Sequence, residues 1–431
     1  MNNTITKLQT YSKYKSSGVE WLGEIPEHWE ILPGLSFIFE NKDRNKGMKR
    51  STVLSLSYGK IRVKKKSELT GLVPESFETY QFVNKGDLIF RPTDLQNDTV
   101  SLRSSISEYE GIITNAYLNL RFKPKANSKF YHYFFRSIDN NKIIYGLGSG
   151  LRQNISYLDF RRFQFPFPPL QEQTAIAQFL DDKTTKIDQA IAIKQQQIEL
   201  LKERRQILIH KAVTQGINPD AKLKDSGVEL IGMIPEHWEV KKIKYILKER
   251  NERSKDGLEP LFMMSQIHGL VVRSDYHSKA EVAQSNEGNK IVFQNDLVFN
   301  KLKAHLGVFF KSNIEFKGIV SPDYAVYYST GIIQDLKFLE LLFRNPEYIK
   351  EFICRATGIV EGLIRLYTPD LFDIHIAIPP INEQTVILEY IENITTKILK
   401  AISIKEQEIE KLKEYKSSLI DGVVTGKVKV V

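Results

Sequence analysis

Cysteine is almost absent. Cys354 stands alone among 431 residues, so neither an internal disulfide nor a cysteine-ligated zinc site is available, which suits a reducing cytoplasm. No run of about 18 apolar residues occurs, and the polar N-terminal stretch lacks a hydrophobic core, so neither membrane span nor signal peptide is expected. The eight histidines form no metal-spaced cluster. Charge is not one-sided either: 61 Lys and Arg stand against 52 Asp and Glu. A net charge of +9 fits a solvated basic surface as well as it fits nucleic-acid binding. With 42% hydrophobic and 26% charged residues the composition is that of an ordinary soluble globular protein. Its length exceeds one comfortable core and predicts two units of roughly 200 residues.

What the chain does have is repetition. Lys15-Ser-Ser-Gly-Val-Glu-Trp-Leu-Gly-Glu-Ile-Pro-Glu-His-Trp29 returns as Lys224-Asp-Ser-Gly-Val-Glu-Leu-Ile-Gly-Met-Ile-Pro-Glu-His-Trp238, a shift of 209 residues. Phe167-Pro-Pro-Leu-Gln-Glu-Gln173 returns as Ile378-Pro-Pro-Ile-Asn-Glu-Gln384, a shift of 211. So steady a spacing means one unit duplicated in tandem, too long for a solenoid. It predicts two similar domains related by a pseudo-two-fold axis.

Each copy opens on turns and then runs through short strand-like segments. In the first these are Val53–Leu56, Gln81–Val83, Asp87–Phe90 and Asn115–Leu120; in the second, Leu261–Met264, Lys290–Phe293, Asp296–Phe299 and Tyr324–Tyr328. A helix follows at Phe130–Ser137, matched by Leu336–Asn345, and each copy closes on a strand that stops at a Pro pair. Trp29 and Trp238 are read as core or lid residues.

Past each Pro pair the hydrophobic period changes from 2 to 3.5. Ile176, Leu180, Ile187, Ile191, Ile198, Leu201 and Leu208 form a stripe that reappears, 211 residues on, as Ile387, Ile391, Ile398, Ile402, Ile409, Leu412 and Leu419. Basic residues interrupt both stripes at the same two places, Lys194 and Arg205, then Lys405 and Lys416. A helix of about 40 residues is roughly 60 Å long, more than is needed to cap one domain. Two matching stripes in one chain bury each other most economically as an antiparallel pair. The reading is an α+β chain: globular mixed-sheet domains at 1–168 and 216–379, and long coiled-coil helices at 169–215 and 380–431 that separate them.

The copies disagree in their polar loops. One carries Arg44, Lys49, Arg50, Lys60, Arg62, Lys64, Arg91, Thr93, Gln96 and Asn97; the other carries Arg253, Lys255, Arg273, Asn300, Lys301, Lys303 and His305. These side-chain types read base edges and hold phosphates. Singly each is most simply a solvated surface residue. As a group they are candidate DNA contacts, placed on two equal scaffolds that would read two unequal half-sites.

Catalytic signatures are thin. Gly146-Leu-Gly-Ser-Gly150 lacks the strand-loop-helix unit of a nucleotide loop and reads as a turn. Ser321-Pro-Asp-Tyr324 and Asn345-Pro-Glu-Tyr348 carry a carboxylate where an amino-methyltransferase motif has its second Pro. Asp296 with Glu315-Phe-Lys317 mimics a nuclease triad, but the first copy has no matching Glu-x-Lys. His28 and His237 have no evident catalytic partner nearby in sequence.

The Gly-Val-Glu-x-x-Gly-x-Ile-Pro-x-His-Trp openings and the Pro-Pro-Leu/Ile-x-Glu-Gln starts of the long helices resemble the specificity subunits of type I restriction–modification systems. The likeness extends over nearly the whole chain. Gly150-Leu-Arg-Gln-Asn-Ile155 also looks like the family's approach to the Pro pair, and Glu361-Gly-Leu-Ile-Arg-Leu366 departs from it, which sets Arg152 and Gln153 apart from anything in the second copy. The resemblance implies a non-catalytic DNA-binding subunit with two target recognition domains for a bipartite, asymmetric site on double-stranded DNA. It also implies two methyltransferase subunits docked on the helices, and restriction–translocase subunits. S-adenosylmethionine, ATP and Mg would then sit on those partners, with no cofactor or metal in this chain. The competing reading is an interaction scaffold whose twin domains bind proteins; a steep salt dependence of DNA retention would separate the two.

Overall fold

The computed structural model describes residues 9–57, 59–68, 76–93, 95, 102–147, 154–266, 268–276, 285–358 and 365–430, the side chains of Lys66, Ala304 and His305 apart. The helices are α1 (Ser128–Asn140), α2 (Tyr157–Arg162), α3 (Leu170–Gln215), α4 (Lys337–Leu342), α5 (Pro346–Arg355), α6 (Thr368–Phe372) and α7 (Ile381–Val424). The chain packs as two units, residues 1–195 with 406–431, and residues 196–405. Each unit therefore takes part of both long helices.

In the first unit the strands pair antiparallel, and one isolated bridge, Val53 to Ile112, is parallel. Tyr14–Ser16 pairs with Glu24–Pro26, and Glu30–Pro33 with Gln164–Phe167. A four-stranded sheet runs in the order Ile38–Glu40, Leu118–Phe122, Leu88–Phe90, Ser104–Ile106. Two ribbons complete the unit: Gln81–Val83 with Gly111–Ile113, and the hairpin Leu54–Ser57 with Lys60–Val63. The first-copy strand expected at Asn115–Leu120 begins later, at Leu118, because Thr114–Tyr117 closes a turn by a backbone bond of 3.3 Å.

Alternation along one strand divides this unit between two cores. Leu88 and Phe90 enter a large core with Trp29, Phe37, Phe130, Phe165, Ile176 and Leu180. Ile89, on the opposite face, enters a small core with Leu54, Ile61, Val83 and Ile113. Burying one such aliphatic side chain contributes about 1.5–3 kcal/mol, so a few residues suffice to anchor the hairpin. Helix α1 starts at Asn127, whose side chain accepts from the backbone N–H groups of Lys129 and Phe130.

The second unit repeats the plan. Its sheet runs Leu247–Glu249, Tyr324–Ser329, Leu297–Asn300, Phe309–Lys311. Its outer hairpin is Phe262–Ser265 with Gly269–Val272. Leu297 and Phe299 again face the large core and Val298 the small one. The helix expected at Leu336–Asn345 is two pieces. Helix α4 stops at Leu342, and Asn345 caps α5, where Pro346 sits in the first turn and cannot continue a preceding helix.

The long helices meet along the expected stripe. In the first unit Lys194 reaches Glu408 at 2.6 Å and Lys416 reaches Asp188 at 2.7 Å. As the α3 number rises the α7 number falls, so the pairing is antiparallel. Ile176, Leu180, Ile187 and Leu419 are buried there, with Ile191 and Leu412 packed beside them; Ile409 is buried too. In the second unit Ile387 and Ile391 share the core with Ile209 and Ala212, and Ile198 and Ile402 are buried. Leu201, Leu208 and Ile398 are half-buried.

The two repeated motifs are repeated because they touch. His28 Nε2 lies 2.8 Å from Glu172 of the Pro-Pro motif, and His237 Nε2 lies 2.7 Å from Glu383. The adjacent Gln173 and Gln384 are buried and donate back to the carbonyls of Pro168 and Pro379, at 2.8 and 3.0 Å. Both tryptophans are fully buried. Each also meets the end of a long helix. Gly216 (φ +75°) follows α3 and lies by Trp238, while Gly426 (φ +78°) follows α7 and lies by Trp29. A Cβ at Gly426 would come within 2.3 Å of Pro26. Beyond it, Lys429 donates to the Gln9 carbonyl at 2.7 Å.

Candidate nucleic-acid interface

In the first unit the outer hairpin is built by alternation. Leu54 and Ile61 point into the small core, while Lys60 and Arg62, opposite Ser57 and Ser55, are exposed on the other face. Gly59 makes the turn at φ +68°. The preceding segment joins the same assembly through a bridge from Arg44 to Gln81. Arg44 and Lys49 are exposed, and Lys64 is half-buried. Arg50 turns inward instead. Its guanidinium donates to the Val83 carbonyl at 2.9 Å and to Asn84 at 3.0 Å, and lies 5.2 Å from the centre of the Phe82 ring. That geometry makes it a brace of the ribbon.

Charge here is concentrated. Residues 41–68 hold ten Lys and Arg against two Asp and Glu. Lys42 pairs with Glu40 and Arg62 with Glu68, both at 3.1 Å. The side chains of Lys46, Lys49, Lys60 and Lys64 form no ion pair among the described residues, and Lys65 meets Glu68 through its backbone N–H at 3.1 Å. The matching stretch of the second unit, 250–277, holds four basic and four acidic residues.

The second unit turns some of its cations inward. Arg250 holds the buried Asp296 through bonds of 2.8 and 2.9 Å and lies against Phe293 and Tyr328. Burial pushes the Asp296 carboxyl up against the pull of that arginine. The sister acid, Asp87, takes its arginine from another strand, Arg121 at 2.9 Å. Arg253 is exposed but donates to the Gly288 carbonyl at 2.7 Å. Lys255 and Lys303 are exposed, and Arg273 is half-buried at a short 3-10 turn. Asn300 accepts from the Leu302 N–H at 3.0 Å, which starts the 3-10 turn Lys301–Leu306. Lys301 is half-buried 3.9 Å from Glu249, and burial together with Lys290 pushes its ammonium down.

Arg91 and Thr93 follow the strand Leu88–Phe90 and are half-buried. Gln96, Asn97, Gly150, Arg152 and Gln153 lie outside the described residues, as does the His305 side chain. The nuclease-like triad does not assemble: Asp296 is held by Arg250, while Lys317 pairs with Glu259 at 3.1 Å. Among the described residues no group of three or more His, Cys, Asp or Glu is placed to hold a metal, and no helix is long and apolar enough to cross a membrane.

Comparison with known proteins bears on this geometry. Residues 38–203 match the family described as type I restriction modification DNA specificity domain. The chain is 25% identical over 337 residues to the MjaVIII type I restriction enzyme specificity subunit of Methanocaldococcus jannaschii, covering 74% of this chain and 75% of that one. A second chain of that organism, provisionally named as the MjaX specificity subunit, is 26% identical over 453 residues, covering 98% and 99%. Along nearly its whole length the chain is similar to type I specificity subunits. Two solved structures share the fold at 14% identity. One, from a study of assembly and conformational transition of a type I restriction–modification system, aligns with TM-score 0.64 over 93% of this chain and 98% of that one. The other is the HsdS subunit of Thermoanaerobacter tengcongensis, with TM-score 0.54 over 97% and 100%.

Asp87, Asp296 and Arg103 of this chain are structural supports. Asp87 and Asp296 recur at the 209-residue shift and could have been found that way. Arg103, fully buried, carries no such signal because the second unit has no counterpart.

Proposed function

We propose that this chain is the non-catalytic reader of a type I complex. Each unit recognises one half of a bipartite, asymmetric site on double-stranded DNA, and the chain directs methyltransferase and restriction subunits to it. The observation that carries the reading is the contrast between constant framework and variable loops. The His–Glu contact, the buried Gln and the sheet order recur, while the stretch on the outer hairpin changes from ten basic and two acidic residues to four of each. A shared scaffold with unequal polar surfaces suits two unequal half-sites. In this reading the first unit supplies most of the phosphate-directed attraction and the second reads with little net charge.

Docking of protein partners on the long helices is supported by Ile193, Leu200 and Ile207. They recur every seven residues on α3, and each is more than half exposed. S-adenosylmethionine, ATP and Mg would be held by those partners.

The test is a selection from duplexes with randomised half-sites, using the full chain with its methyltransferase subunits. Arg91→Ala should change base preference in one half-site only. If both halves changed together, the assignment of one unit to one half-site would fail.

A further inference from the structure

The loop stem that carries Arg91 and Thr93 is held from beneath by a buried cation. Arg103 precedes the strand Ser104–Ile106 and is fully buried. Its Nη1 donates to the Thr93 carbonyl at 2.7 Å and reaches the Arg91 carbonyl at 3.5 Å. The backbones meet as well, Arg91 N–H donating to the Arg103 carbonyl at 2.8 Å. On its other side, Arg103 Nε lies 3.9 Å from Asp139 of α1 and 3.5 Å from the Tyr145 hydroxyl, with the guanidinium 5.6 Å from the Tyr145 ring centre. The Arg103 N–H donates to Asp139 at 3.1 Å.

The duplication supplies an internal control. Both units hold the start of this loop from downstream: Ile155 N–H donates to the Pro92 carbonyl at 2.9 Å, and Leu366 N–H to the Lys301 carbonyl at 3.2 Å. Strand register then places Arg103 and Val308 at the same point, since Ser104 faces Phe90 and Phe309 faces Phe299. The second unit needs no arginine there, because Asn300 and the 3-10 turn Lys301–Leu306 support that loop locally. A buried arginine that donates to the Thr93 carbonyl restrains where that carbonyl stands, because moving it would cost a desolvated cation one of its acceptors.

We propose that Arg103 is a specificity-determining positioning residue of the first unit: it touches no base, and sets where Arg91 and Thr93 stand. This rests on the reading of the chain as a two-half-site reader. The test uses the full chain carrying Arg103→Lys, which keeps a charge near Asp139 but lacks the planar fork. A second variant, Arg103→Val, installs the residue native to the matching place in the second unit.

Selection from duplexes randomised in both half-sites should show discrimination at one or two positions of one half-site falling by about tenfold, the order of a single hydrogen-bonded base pairing. Preference in the other half-site and the salt slope should stay as in the parent. Arg103→Lys guards the test against loss of folding, checked by its melting profile. A folded Arg103→Lys chain with unchanged preference in both halves overturns the proposal. So does affinity reduced equally for every sequence, the mark of a purely structural residue. If the parent chain selects no sequence at all, the two-half-site reading fails first and this inference with it.

Discussion

Glu383 accepts from two neighbours at once, His237 at 2.7 Å and the Trp238 indole N–H at 3.1 Å. One carboxylate at the start of α7 thereby satisfies a fully buried tryptophan and ties two segments that the chain separates by 146 residues. In the first unit Glu172 holds His28 and the Tyr11 hydroxyl, and the Trp29 indole N–H has no partner among the described residues.

Glu383→Ala should therefore be costly. It strands the buried Trp238 N–H, and about 1–3 kcal/mol is the usual penalty for such a group. Glu383→Gln keeps an acceptor and should recover most of the loss. Hydrogen exchange at residues 233–242 is the measurement. Equal protection in both variants would mean the indole contact contributes little.

Salt dependence should be unequal between the units. Replacing Lys46, Lys49, Lys60, Lys64 and Lys65 by Gln should flatten the slope of log affinity against log salt by up to about 0.9 for each phosphate no longer neutralised. Replacing Lys255, Arg273 and Lys303 should flatten it less. Fluorescence anisotropy of a site-bearing duplex across a salt series checks this, and equal flattening would contradict the charge asymmetry.

The long helices pass from one unit to the other at Gln195–Gln196 and Lys405–Glu406. A heptad inserted at both points keeps the stripe in phase and adds about 10 Å of helix. If the helices act as a spacer, the tolerated gap between half-sites should lengthen by about three base pairs, at roughly 3.4 Å each. Mapping methylated positions reads the gap directly, and an unchanged gap refutes the spacer role.

His132 on α1 introduces a pH effect. Burial, and then the nearby Arg136, push its imidazole down to about 3. The unfolded chain protonates it near 6.5, so between about 6.5 and 3 the unfolded state binds the extra proton and folding weakens as pH falls. Going from pH 7 to 5 should cost roughly 2 kcal/mol through this group. His132→Phe should remove that part of the acid sensitivity in thermal melts of the first unit.

Legibility differed by the kind of interaction. The seam was readable because Ile176 through Leu208 and Ile387 through Leu419 are periodic and apolar, and packing enforces period. The framework was readable because both copies preserve His28, Glu172 and Gln173 in kind. The candidate interface was readable only as composition. Arg50 and Lys301 look like surface cations in sequence, yet ribbon carbonyls hold one and Glu249 faces the other. Nothing local distinguishes them from Lys49 or Lys60. Arg103 was illegible because its acceptors include backbone carbonyls, which every residue has.

The contact between Gln9 and Lys429, with Leu419, Ile420, Val423 and Val424 closing the large core of the first unit, has a bearing on biosynthesis. Every residue of the second unit leaves the ribosome before residue 406, whereas the first unit waits for the last stretch of α7. The first unit is thus begun before the second and completed after it. A nascent or truncated chain ending near Lys405 would hold one complete unit and one with an open apolar face, the species that chaperones and proteases recognise.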